Sequence, residues 1–179
     1  MKRAIIILLS IIAMVVVMLV GLFLYLRYAG GPPKEAVLLQ TFYAHRSSFE
    51  QLRDMLQADE GLHRLADWGV QTKDGIFKPP AGNFPVDRYN KYLALLKDAH
   101  AIGAARGGSA HPEPNVLLWA SGFGGDTTHV GICWTEGPPS RQVSSFDSYY
   151  RDHKSNGTNG WVYRHIDSNW YLWTDLWTE

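Results

Sequence analysis

WVYRHIDSNWYLWTDLW, residues 161 to 177, reads as a β-hairpin and sets the class of the fold. Asp167-Ser168-Asn169 is turn chemistry, and aromatic and β-branched residues fill both arms around it. Side chains alternate across a strand. Trp170, Leu172, Thr174 and Leu176 therefore share one face, while Tyr171, Trp173, Asp175 and Trp177 share the other. One face is enough for a core. The second still carries three large aromatics, and Trp161, Tyr163 and His165 on the first arm extend it. Tyrosines and tryptophans on a partly exposed face anchor protein interfaces or stack on glycans. Tyr171, Trp173, Trp177, Trp161 and Tyr163 are thus the candidate binding residues; the equal alternative is that helices cover one face and a loop the other, which makes both faces core.

Working back from the hairpin, Val116 to Ser121 and His129 to Thr135 are further strand-like runs bounded by Gly, Asp and Pro. The segment Gly137 to Gly160 is mostly polar, with a short helix expected near Ser145 to Arg151. Before Pro112 the periodicity is helical. A helix begins near Asp87 and places Tyr89, Leu93, Leu96 and Ile102 on one side, until Gly103 and Gly107-Gly108 stop it. Another is predicted from Lys34 to about Ala58, its core side built from Leu38, Phe42, Phe49, Leu52 and Leu56 with His45 in the same rhythm. Between them, Asp67-Trp68-Gly69-Val70 reads as a short strand and Lys78 to Asn83 as loop. Helices first and strands after give an α+β fold, two main helices on an antiparallel sheet.

The N-terminus is of another kind. Ala4 to Leu26, AIIILLSIIAMVVVMLVGLFLYL, is free of charge over its whole length, which predicts a transmembrane helix. Lys2 and Arg3 before it, against Arg27 after it, put the short N-terminus in the cytoplasm and the rest outside. The run is too long for a cleaved signal peptide and ends without a small-residue cleavage site. The expected organisation is a cytoplasmic N-terminus and anchor over 1–29, a Gly-Gly-Pro-Pro hinge over 30–35, and a single extracytoplasmic (periplasmic) domain over 36–179.

Seventeen acidic residues all follow position 30, against fourteen basic ones there, a net charge of −3. That excludes the basic footprint nucleic acid requires. A single cysteine, Cys133, excludes an internal disulfide, so the domain rests on its core. Its neighbours Ile132 and Trp134 place it in that core, away from nucleophilic work. The spacings His63/Asp67 and Asp126/His129 suit metal ligands, but neither brings a third, so no metal and no cofactor is expected.

His129-Val130-Gly131-Ile132, preceded by Gly124-Gly125-Asp126, resembles the histidine strand of papain-like cell-wall peptidases. The resemblance implies a base that activates a cysteine located earlier, at a helix start. No cysteine precedes His129 here.

Two function classes follow. The first is a single-pass membrane-anchored binding protein without a catalytic set, an accessory or stabilising subunit of a membrane complex or a protein of the immunity or inhibitor kind. Its partners would be lipid through the N-terminal helix and a protein in or at the membrane. The alternative is an envelope hydrolase acting on peptidoglycan or glycans, with His129 and Asp126 as its catalytic residues.

Overall fold

The computed structural model describes residues 2–28, 31–107, 114–123, 126–153 and 160–177, with the side chains of 2–9, 24–28, 122, 123, 126, 153, 176 and 177 excepted. The chain divides into two compact units, Met1–Gly31 and Pro32–Glu179.

The first unit holds α1 (Lys2–Tyr28). Its side chains are described from Ser10 to Phe23, and among the described residues no helix is long and apolar enough to cross a membrane. The expected transmembrane helix is corrected on that finding, and with it the reading of a single-pass membrane protein. From Met14 to Val20 every side chain on the helix is an exposed apolar one.

The second unit is α+β. Its helices are α2 (Glu35–Ala44), α3 (Arg46–Ala58), α4 (Val86–Asp98) and α5 (Phe146–His153). Its strands are β1 (Leu62–Ala66), β2 (Gly69–Thr72), β3 (Gly75–Phe77), β4 (Gly103–Ala105), β5 (Asn115–Phe123), β6 (Asp126–Trp134), β7 (Gly160–Asp167) and β8 (Trp170–Trp177). They form one sheet in the order β3-β2-β1-β4-β5-β6-β8-β7, with every neighbouring pair antiparallel.

The helix expected over 34–58 is two helices that meet at His45, whose backbone leaves helical geometry (φ −121°, ψ 25°). The core stripe survives the break: Leu38 and Phe42 on α2, then Phe49, Leu52, Met55 and Leu56 on α3, are all buried. They meet Leu65, Val116, Val130, Ile132, Trp170 and Leu172 from the sheet in a single cluster. Phe42 sits at its centre, 5.6 Å from the Phe49 ring and 5.4 Å from Trp170. Helix α4 adds Tyr89, Tyr92 and Leu96. The Tyr92 hydroxyl donates to Asp59 at 2.8 Å, and Arg88 donates to the same carboxylate at 2.9 Å. Asp67-Trp68, expected within a strand, is instead the turn between β1 and β2.

Two acidic side chains join α2 to α5 across more than a hundred residues of sequence. Glu35, 8 % exposed, accepts the Phe146 N–H at 2.7 Å at the start of α5 and pairs with Arg164 of β7 at 2.6 Å. Asp147 returns the favour by accepting the Glu35 N–H at 3.1 Å. Each carboxylate thus meets an orphan donor at the other helix's N-terminus. Glu35→Gln keeps the size and one acceptor but removes the charge facing Arg164. It should cost about 1 kcal/mol in chemical unfolding, the partial exposure of the arginine keeping the loss small.

Candidate functional site

With the helices on one face, the other face of the sheet carries the odd-numbered residues of β6, β7 and β8. Cross-strand register builds rows on it. One row runs Ala66, Gly103, Leu117, Gly131, Trp173, Tyr163 from β1 to β7. The next places His129, Asp175 and Trp161 side by side. A third contains Arg64, Ala105, Asn115, Cys133, Tyr171 and His165.

Small residues in the middle of these rows leave a hollow. Gly103, Ala104 and Ala105 form part of its floor, Arg64 and Trp68 stand on the β1 side, and Trp161 and Trp173 on the β7–β8 side. The cleft measures about 480 Å³, and His129 and Asp175 lie in its lining. At its mouth Trp68 is 44 % exposed, and the Arg64 guanidinium lies 5.5 Å above its ring.

His129 and Asp175 form a tight dyad. The His129 ring Nδ1 lies 2.9 Å from both Asp175 oxygens, and its backbone N–H donates to Oδ1 at 2.7 Å. Asp175 is 3 % exposed. A carboxylate so placed fixes the tautomer: Nδ1 carries a proton and donates it, which makes Nε2 the nitrogen available to a ligand. The Asp175 hydrogen bond and charge raise the His129 pKa above its ordinary value, and partial burial of the ring opposes the rise. Beneath the dyad, Tyr150 of α5 donates to Thr174 at 2.6 Å and Thr174 donates to the His129 carbonyl at 2.8 Å. The β6–β8 pairing is therefore pinned by side chains on both faces.

The predicted binding residues are drawn together, though not as an open surface. Tyr171 and Trp173 are 6 % and 4 % exposed, and with Tyr163 and Cys133 they form a second, smaller apolar cluster. Trp161 is half-buried against it, its ring 5.1 Å from that of Trp173. Gly131 explains the burial: a Cβ there would stand 2.7 Å from Trp173 Nε1, so the indole lies down over the bare backbone. Trp161 and Trp173 reach the cleft, whereas the Trp177 side chain lies outside the described residues.

Asp126 opens β6, three residues before His129, and its side chain also lies outside the described residues. The acid that meets His129 is Asp175, from the neighbouring strand, and the sequence reading did not put it in the site. Its signal was visible: a lone carboxylate on a face otherwise made of aromatics must be either wet or paired. Cys133 is fully buried, and no serine, threonine or cysteine side chain lines the cleft among the described residues. Among them, too, no group of three or more His, Cys, Asp or Glu side chains could hold a metal ion.

No protein-family model matches the chain, and no curated protein or solved structure does so either.

Proposed function

We propose that the domain is a binding protein whose recognition site is the tryptophan-walled cleft, with His129 as the polar anchor inside it. The observation that carries this reading is the His129–Asp175 pair in an apolar hollow. A buried carboxylate with two contacts to one histidine costs desolvation, and the arrangement is repaid when the outer ring nitrogen holds something. Protein partners remain within this reading as far as they place one side chain or chain end in the cleft. The test is a nuclear magnetic resonance screen of the domain with indole and naphthalene fragments. Shifts gathered on Arg64, Trp68, His129, Trp161 and Trp173 are expected; shifts on the helical face alone would refute the reading.

The same dyad supports one other reading. A histidine oriented by a carboxylate is the arrangement of a general base, so a hydrolase using His129 directly on water is the alternative. It lacks a serine, threonine or cysteine nucleophile among the described lining residues, and the second carboxylate there, Asp67, is exposed on the β1–β2 turn. Turnover of peptidoglycan fragments or simple esters that vanishes in His129→Gln would favour it over binding alone.

A further inference from the structure

The polar groups of the cleft restrict what it can hold, and the following inference rests on the binding reading above. Both Asp175 oxygens are engaged by His129, so the carboxylate has little left to offer a ligand. At the rim, Arg64 gives its Nε to Gln71 and lays its guanidinium over the Trp68 ring. What remains in the hollow is the partly exposed His129 ring, whose Nε2 is an N–H donor in the protonated state that the Asp175 hydrogen bond favours. Trp161 is the register neighbour of Asp175, and Trp173 that of Gly131, so two indoles flank that donor directly. A charged donor beside apolar aromatic walls is best answered by an anionic acceptor on a flat apolar body. The charge-assisted hydrogen bond is the stronger kind, and the ring faces release water from the indoles.

We propose that the cleft binds an aromatic carboxylate, with its ring against Trp161 and Trp173 and its carboxylate on His129 Nε2. The same chemistry is offered by a free aryl-alkanoic acid and by the C-terminal tryptophan or phenylalanine of another chain.

The test uses the full chain and four probes: indole-3-propionate, its neutral amide, tryptamine, and a short peptide ending in tryptophan with a free carboxylate. Titration followed by tryptophan fluorescence and by the His129 ring resonances should show the acid binding about tenfold or more tighter than the amide. His129→Gln should erase that difference while leaving residual binding of the ring. Equal affinity for acid and amide, or tightest binding of tryptamine, overturns the carboxylate proposal while the binding reading stands. No response to any probe overturns both. If the peptide outbinds the free acid, the carboxylate belongs to a chain end; if it binds equally or more weakly, it belongs to a small molecule.

Discussion

Asp175→Asn is expected to drop the His129 pKa back to or below its ordinary value of ~6.5 and to abolish the preference of the cleft for an anion at neutral pH. The carboxylate is what raises that pKa, and it does so against the partial burial of the ring. With an amide in its place the burial acts alone, and the imidazole spends more of the neutral range uncharged. A one-dimensional titration of the ring protons in the two proteins measures this directly. Stability should move with it. A group whose folded pKa is raised contributes stability that is complete below its unfolded value and fades as pH rises through the folded one. The wild-type advantage over Asp175→Asn should therefore be greatest near pH 6, then shrink as pH rises through the raised value. It does not shrink to nothing, because the buried His129 N–H donates to the same side chain. A deficit of about 1–3 kcal/mol near pH 6 is expected. An Asp175→Asn protein whose His129 titrates as before would show that the pair is not the source of the shift.

How far the sequence leads is visible in these residues. The alternation in β8 puts Tyr171, Trp173 and Asp175 on one side, and the structure has them there. Alternation carries no information about neighbours, however. The sheet inserts β8 between β6 and β7, and only that order brings Asp175 against His129. Strands β3 and β4 escape a periodicity reading because three residues are too few to show a period. The break at His45 escapes for the opposite reason: the stripe from Leu38 to Leu56 keeps its phase through the junction, so nothing in the spacing betrays it. The uncharged run over 4–26 is plain in the sequence, yet among the described residues no helix is long and apolar enough to cross a membrane. The aromatic face is ambiguous by its chemistry. Large rings on a second face suit an open surface or a covered one, and only the neighbouring strand shows the glycine that gives one of them room to lie flat.

That glycine carries the other large effect. Gly131→Val should destabilise the domain by about 3 kcal/mol or more, and close the cleft in whatever fraction still folds. The position lies in the middle of β6, paired on one side with Leu117 and on the other with Trp173. An added Cβ meets the Val116 carbonyl oxygen, which belongs to the β5 backbone and cannot swing aside. It also meets Trp173 at Nε1, 2.7 Å away, and at Cε2, 2.8 Å away. The indole has one escape, to lift off the sheet toward Trp161, whose ring is 5.1 Å from it and helps form the same wall. Relief of the clash therefore fills the hollow in which His129 stands. Gly103, which does line the cleft, offers the control. A Cβ there comes no nearer than 3.2 Å to the Leu65 carbonyl oxygen and 3.5 Å to the Ala66 Cβ, so Gly103→Ala should cost less than ~1 kcal/mol. Urea unfolding of both variants, with fragment binding measured on each, separates the two roles of the small residues. If Gly131→Val and Gly103→Ala prove equally stable, Trp173 does not lie over Gly131, and the floor of the cleft is not built as described.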